Sequence, residues 1–167
     1  MTRTLFAIAL SLAIPASAMA KTYDIATLSK AAVAEVKKDV DFDVLLPDEL
    51  ALDYSKRLYI DASTFGGGYD ITFGAVRNCG ANVCALGNVE AQPGGRLAFR
   101  DRVKLANGST ASFKPLTCGG SCSPPTLDFR RKGVRYSIQA KLSASKDAEQ
   151  RRQLIAAANE ALAAGPR

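Results

Sequence analysis

The stretch VRYSIQAKL, residues 134–142, alternates apolar and polar side chains along its whole length. Successive side chains of a β-strand point to opposite faces, so this stretch would place its apolar residues on one face and its polar residues on the other. Such alternation predicts a strand that contacts a core on one face and solvent on the other. The preceding stretch LDFRR, residues 127–131, is joined to it through Lys132-Gly133 and is the expected hairpin partner.

Two more hairpins are predicted upstream of this one. The stretch RVKLANGSTASF, residues 102–113, contains Asn107-Gly108, a dipeptide that favours the two-residue turn of a hairpin. The stretches RLYIDAS and GYDITFGAV flank a run of glycines at residues 66–68 and indicate a further hairpin. We therefore expect an α+β fold built on a mostly antiparallel sheet of about six to eight strands.

A helix is predicted at each end of this sheet. The first runs from Leu28 to Lys38, with Thr27 or Ser29 as its N-terminal cap. The last lies in DAEQRRQLIAAANEALAAGPR, with Ser145 or Asp147 in the capping position and Gly165-Pro166 as the stop signal. Its apolar side chains recur at helical spacing, which predicts one buried face formed by Leu154, Ile155, Ala158, Ala161 and Leu162.

The first twenty residues have the layout of a secretory signal peptide. Arg3 precedes an apolar run, and small residues end the segment at Ala18-Met19-Ala20. We expect residues 1–20 to be a signal peptide cleaved after Ala20, leaving residues 21–167 as one exported domain, periplasmic or secreted. The apolar run is shorter than the about 20 residues that span a bilayer, and no later stretch is long and apolar enough to do so.

The composition after residue 20 excludes several kinds of chemistry. Residues 21–167 contain no histidine, methionine or tryptophan. Imidazole acid–base catalysis, Ser-His and Cys-His nucleophiles and histidine metal ligands are therefore absent from this part of the chain. No catalytic motif is complete, so we expect a protein that is not an enzyme and that uses no cofactor.

All four cysteines lie in two short, turn-like stretches. NCGANVCALG carries Cys79 and Cys84, and CGGSCSPP carries Cys118 and Cys122. In an oxidising compartment such cysteines are expected to form structural disulfides, although four cysteines allow three pairings. Glycine-rich turns have room to close locally, which favours pairs within each stretch. A thiol–disulfide centre or a four-thiolate metal site is the alternative function.

The charges are distributed unevenly along the chain. Residues 21–70 hold 6 basic and 10 acidic side chains, whereas residues 71–167 hold 15 basic and 6 acidic ones. A basic surface attracts polyanions, so the basic half is a candidate anion-binding region. The alternative is that the acidic half packs against the basic half and neutralises it. The candidate anion-binding residues form two groups in the sequence, Arg96, Arg100, Arg102 and Lys104, followed by Arg130, Arg131, Lys132 and Arg135.

A hydrolase of envelope polysaccharide is a further alternative, since glycoside hydrolysis needs only carboxylates. The candidate acids are Asp48, Glu49, Asp61 and Asp70. Three other acids, in the stretch DVDFD at residues 39–43, match only the first ligand positions of a calcium loop, and an exposed strand is expected there instead.

The first hypothesis is therefore an exported binding or accessory protein without catalytic activity. Its expected partners are anionic lipid or polysaccharide of the cell envelope, or another envelope protein. Sequence-specific nucleic-acid binding is not expected, because no nucleic-acid-binding module is present.

Overall fold

The structure is a computed structural model, and it describes residues 21–167. The predicted signal peptide at residues 1–20 and its cleavage site lie outside the described residues. Along the described chain the elements are β1 (Lys21–Asp24), α1 (Ile25–Leu28), α2 (Lys30–Val36), β2 (Glu49–Leu52), β3 (Tyr59–Phe65), β4 (Gly68–Gly74), β5 (Ala85–Pro93), β6 (Asp101–Lys104), β7 (Thr110–Lys114), β8 (Thr117–Cys118), β9 (Cys122–Ser123), β10 (Thr126–Arg131), β11 (Val134–Ala140) and α3 (Asp147–Ala164).

Seven strands form one antiparallel sheet in the order β3-β4-β5-β11-β10-β7-β6. The three predicted hairpins are confirmed as β3–β4, β6–β7 and β10–β11. The turns contain Gly66, Gly67, Gly108 and Gly133 at positive φ, a backbone conformation that glycine adopts without steric cost. Two small sheets, β1–β2 and β8–β9, accompany the main one.

The two faces of the main sheet differ as the alternation predicts. On β11, Val134, Tyr136, Ile138 and Ala140 are buried, and the residues between them are half-buried. Helix α3 packs against β10 and β11, and helix α2 packs against β3 and β4. Both helices therefore cover the face that carries the core, and burial of each large apolar side chain there stabilises the fold by about 1.5–3 kcal/mol. The opposite face, which carries the polar residues of the strands, is called the outer face below.

The C-terminal helix is confirmed, with one difference at its start. Leu154, Ala158 and Ala161 are buried, and the helix ends at Gly165, which has a φ of 75°. The capping position is occupied by Lys146, and no side chain caps the helix. The expected caps Ser145 and Asp147 do not act as such. Asp147 instead lies in the first turn, where the helix dipole favours a negative charge.

The single N-terminal helix predicted from Leu28 to Lys38 is not observed. The chain forms α1 and α2, two short helices separated at Ser29. Asp24 caps α1 by accepting a hydrogen bond from the Thr27 amide at 2.8 Å. The backbone amide of Ile25 donates to the carbonyl oxygen of Asp48 at 2.8 Å. The helical segment therefore begins before the predicted start, with a local cap and a long-range contact, while α2 lies within the predicted range and has the expected Ser29 in its capping position.

The strand predicted over residues 39–43 is also not observed, and this segment is turn and irregular structure. Tyrosine hydroxyls bind the backbone at the end of this segment and just after it. Tyr136 donates its hydroxyl to the carbonyl of Asp43 at 2.6 Å, and Tyr69 donates to the carbonyl of Leu45 at 3.2 Å. Burial raises the pKa of both tyrosine hydroxyls above the ordinary value. The two buried tyrosines thus supply hydrogen bonds to backbone carbonyls that a neighbouring strand would otherwise bind.

Candidate anion-binding surface

The outer face of the sheet carries opposite charges at its two ends. Toward β3, β4 and β5 it carries the half-buried acids Asp61, Asp70 and Glu90. Toward β6 it carries Arg102 and Lys104, which flank the buried Val103 and so point away from the core. The outer face therefore has an acidic side and a basic side, and the basic side ends at the edge strand β6.

Four of the candidate anion-binding residues lie on or just before this edge. We call these four, Arg96, Arg100, Arg102 and Lys104, the edge cluster. All four are exposed, and none forms an ion pair with any residue in the described range 21–167. The acid nearest in sequence, Asp101, is paired with Arg151 of α3. The edge cluster is therefore left without a counterion from the described part of its own chain.

The other four cations, Arg130, Arg131, Lys132 and Arg135, are called the hairpin cluster. A single carboxylate from the acidic half of the chain binds two of them: Asp43 Oδ2 lies 3.4 Å from Arg131 Nε and 3.2 Å from Lys132 Nζ. Arg131 also donates to the carbonyl of Leu162 at 3.2 Å. At this hairpin one acid of residues 21–70 is paired with two cations of the basic half, as the packing alternative predicts for these residues.

Arg135 has a structural setting of its own. It forms an ion pair with Glu90, and its Nη1 lies 3.8 Å from Asp128 Oδ2. The Asp128 side chain is only 1% exposed, so Arg135 supplies the positive charge beside a buried carboxylate. An ion pair in such a setting is costly to break from one side, because the remaining buried charge then has no opposite charge beside it.

The buried Asp128 also holds the loop that carries part of the edge cluster. Its Oδ2 accepts a hydrogen bond from the Ala98 amide at 3.0 Å, so residues 94–100 cross the outer face above it. Gly95 packs against this site, since a Cβ atom added there would lie 2.9 Å from the Cβ of Arg135. Arg135 and Asp128 thus position the segment from which Arg96 and Arg100 extend.

Two cations of the basic side, Lys114 and Arg130, have surroundings that could not be predicted from their positions in the sequence. Lys114 is half-buried and lies opposite Thr126 in the sheet, on the outer face. Arg130 is exposed, and no ion pair binds it within the described chain. In the strand register Arg130 lies opposite Arg135, so it stays in the hairpin cluster, and it is the one residue of that cluster without an ion pair in the described chain. The alternation of side chains along β7 was the signal that could have placed Lys114 on the outer face.

The four cysteines form two local disulfides, Cys79–Cys84 and Cys118–Cys122. The local pairing expected from the glycine-rich turns is therefore confirmed. As disulfides the cysteines carry no thiolate, the form in which cysteine binds metals or attacks a substrate. Cys79 and Cys122 line one groove of about 280 Å³ together with Lys141. The alternative of a thiol–disulfide centre stays a prediction.

The four candidate acids do not meet in one site. Asp48 and Glu49 are exposed at β2, and Asp48 is paired with Arg167 at 2.6 Å. Asp61 and Asp70 lie on the main sheet, where Asp61 accepts a hydrogen bond from the Asn78 amide at 2.9 Å and Asp70 accepts one from a threonine hydroxyl at 2.6 Å. The carboxylates thus divide between two sheets, and the hydrolase alternative stays a prediction.

A carboxylate pair that the sequence did not indicate lies on the main sheet. Asp70 and Glu90 are direct cross-strand neighbours on β4 and β5. The Glu90 carboxylate is bound by Arg135, so the two acids differ in their surroundings. Within residues 21–167 no group of three or more acidic or cysteine side chains is arranged to hold a metal ion.

Comparison with known proteins gives no family for this chain. No family model, no curated protein and no solved structure matches it. None of the helices between residues 21 and 167 has the length and apolar character needed to cross a bilayer. The two disulfides are typical of proteins in an oxidising, extracellular compartment.

Proposed function

We propose that this protein is an exported, non-catalytic binding protein that contacts anionic lipid or polysaccharide of the cell envelope through its edge cluster. The observation that carries the proposal is the difference in pairing: the edge cluster has no ion-pair partner within residues 21–167, whereas an acidic side chain binds each of Arg131, Lys132 and Arg135. Cations without a nearby counterion are the ones whose field reaches a partner.

The location of the edge cluster supports a contact with an extended surface. Arg102 and Lys104 lie on an edge strand, and Arg96 and Arg100 extend from the loop beside it. Near an anionic membrane surface each lysine or arginine contributes about 1 kcal/mol of binding free energy. Four such residues would supply about 4 kcal/mol, enough for weak, reversible and salt-dependent attachment.

Export is the second part of the proposal. Residues 1–20 would act as a signal peptide that is removed after Ala20, and the two disulfides suit the compartment reached by this route. The intact mass of the protein from the envelope fraction tests this part. A chain that begins at Lys21 and resists thiol alkylation is expected. A chain that retains residues 1–20, or one with alkylatable cysteines, would contradict it.

The binding part is tested with vesicles of phosphatidylglycerol and phosphatidylcholine mixed in equal amounts, compared with phosphatidylcholine alone. Binding should need the anionic lipid and should fall steeply as salt rises, because the Debye length shrinks from about 30 Å at 0.01 M to about 8 Å at 0.15 M. The variant Arg102→Glu/Lys104→Glu should lose binding. Its matched control, Lys30→Glu/Lys37→Glu on the exposed side of α2, changes the net charge equally and should retain it.

Two results would overturn the edge-cluster proposal. Equal loss of binding in the two variants would mean that only the net charge matters. Binding that does not depend on salt would mean that the contact is not electrostatic. Thermal unfolding of both variants shows whether either result reflects a loss of folding.

A further inference from the structure

A groove of about 880 Å³ lies at the opposite edge of the main sheet from the edge cluster. It is formed by β1, α1, residues 55–58 and the start of the edge strand β3. Tyr23 of β1 lines it, and its hydroxyl, which has one proton to donate, lies 2.8 Å from the carbonyl oxygens of both Tyr54 and Lys56. These contacts connect β1 to residues 54–56. The volume is within the about 300–1,000 Å³ of sites that hold small ligands.

Cations are placed on aromatic rings inside this groove. The guanidinium carbons of Arg57 and Arg77 lie 5.2 and 5.6 Å from the ring centre of Tyr59. The ammonium of Lys21 lies 4.9 Å from the ring centre of Tyr23. Such contacts hold a flexible cationic side chain in place without neutralising its charge. Each guanidinium keeps its charge and its N–H donors, and guanidiniums bind oxyanions through paired hydrogen bonds.

The groove has an excess of positive charge. Its cations are Lys21, Lys56, Arg57 and Arg77, and none of them forms an ion pair within the described residues. Its two acids are already engaged by backbone amides: Asp24 accepts from Thr27, and Asp61 accepts from Asn78. The hydrogen bonds from Thr27 lower the pKa of Asp24. The two carboxylates thus accept hydrogen bonds from backbone amides, whereas the four cations line the groove without an ion pair.

One wall of the groove is apolar. Leu28 is 43% exposed, and Ala31, Leu58 and Ile60 line the space beside it. The groove therefore presents apolar surface as well as the arginines. A ligand with an apolar body could cover this wall while its charged group reaches Arg57 and Arg77.

We propose that this groove binds a small amphiphile that carries an oxyanion, either phosphate or carboxylate, next to an apolar body. The oxyanion is bound by Arg57 and Arg77, and the apolar body lies against Leu28 and Ala31. Cleavage after Ala20, as proposed above, would add the α-ammonium of Lys21 to the same groove. The site uses none of the edge-cluster residues, so it does not depend on the surface contact.

Soluble probes test the site separately from membrane binding. Dihexanoyl phosphatidic acid below its micelle concentration, octanoate and inorganic phosphate are titrated by calorimetry, and amide NMR shifts show where each one binds. We expect saturable binding of phosphatidic acid or octanoate at least tenfold tighter than that of inorganic phosphate, with shifts at Arg57, Tyr59 and Arg77. Tighter binding of one probe over the other identifies phosphate or carboxylate as the preferred group.

Variants then assign the two parts of the ligand. Arg57→Gln/Arg77→Gln should weaken binding at least tenfold, and Leu28→Ser should weaken it severalfold while leaving the arginines intact. The matched control Arg100→Gln/Arg102→Gln removes two arginines from the edge cluster and should bind the probes as the unmodified protein does. No saturable binding, equal affinity for inorganic phosphate, or equal loss in the control variant would overturn the proposal. The proposal that the edge cluster binds vesicles does not depend on any of these results, because the two sites share no residue.

Discussion

The edge cluster and the hairpin cluster look equivalent in the sequence, but the fold uses them differently. Each has four cations within a short stretch of the basic half. In the hairpin cluster Asp43 binds Arg131 and Lys132, and Glu90 and Asp128 bind Arg135. In the edge cluster all four cations are exposed and have no such partner within residues 21–167. Three residues of the hairpin cluster are therefore held by acids of the fold, whereas the edge cluster has no such contact within residues 21–167.

The difference shows that charge density along the chain does not by itself locate a binding surface. A cation that has no counterion in its own chain attracts an anionic partner more strongly than one that is already paired. The two clusters are also connected, since Asp128 binds Arg135 and the loop that carries Arg96 and Arg100. The paired cluster thus helps to position part of the unpaired one.

Removal of Arg135 should have the largest effect on stability. Arg135→Ala leaves the buried carboxylate of Asp128 without its positive neighbour, so we expect the free energy of unfolding to fall by about 3 kcal/mol. The control Arg102→Ala removes an exposed cation without an ion pair in the described chain and should change stability by less than about 0.5 kcal/mol. Urea unfolding measures both variants. Equal stability of the two would mean that the hairpin cluster is not structural.

Alkaline pH should weaken the core beside the hairpin cluster. Burial raises the pKa of Tyr69 and Tyr136 in the folded state, whereas tyrosine in the unfolded chain ionises near about 10. Their contribution to stability is therefore complete below pH 10 and is lost as the pH rises toward the folded-state values. Between pH 10 and 11 the loss should be about 1 kcal/mol for each tyrosine.

Urea unfolding of the unmodified protein and of Tyr69→Phe/Tyr136→Phe at the two pH values tests this expectation. The unmodified protein should lose about 2 kcal/mol more than the double variant over this interval. An equal loss in both proteins would show that other groups account for the alkaline sensitivity.

Removal of the shared counterion should make the two clusters more alike. Asp43→Asn removes the charge that binds Arg131 and Lys132, at a cost of about 1 kcal/mol in stability because the pair is partly exposed. The released cations should strengthen binding to phosphatidylglycerol vesicles about tenfold. Asp41→Asn is the matched control, since Asp41 is exposed and forms no ion pair within the described chain. An equal gain in both variants would attribute the change to net charge alone.

Much of the sheet could be predicted because its signals are local. The alternation in VRYSIQAKL and the Asn107-Gly108 turn each depend on a few neighbouring residues, and so does the pairing of Cys118 with Cys122. The bounds of the N-terminal helix were wrong, since the helical segment begins at Ile25, whose amide donates to the carbonyl of Asp48, and is divided at Ser29. The strand over residues 39–43 was wrong because tyrosine hydroxyls bind the adjoining backbone.

The pairing of the cations could not be predicted for the same reason. Asp43 and Arg131 are far apart in the sequence, and only the packed fold brings them within 3.4 Å. The groove near Tyr59 was missed because its cations come from three separate segments, represented by Lys21, Arg57 and Arg77. Contacts between segments that are distant in the sequence decide which cations form ion pairs, and the residues next to a cation in the sequence do not reveal them.

Two variants that remove the same charges from the two clusters show whether ion pairing decides which cations bind anionic lipid. Arg102→Gln/Lys104→Gln and Arg131→Gln/Lys132→Gln each remove one arginine and one lysine, and their affinity for phosphatidylglycerol vesicles is measured at low salt. We predict about a thirtyfold loss for the first variant, since two surface cations contribute about 1 kcal/mol each, and less than about a threefold loss for the second. Equal losses, or a larger loss for the second variant, would mean that ion pairing within the chain does not decide which cations bind the vesicles.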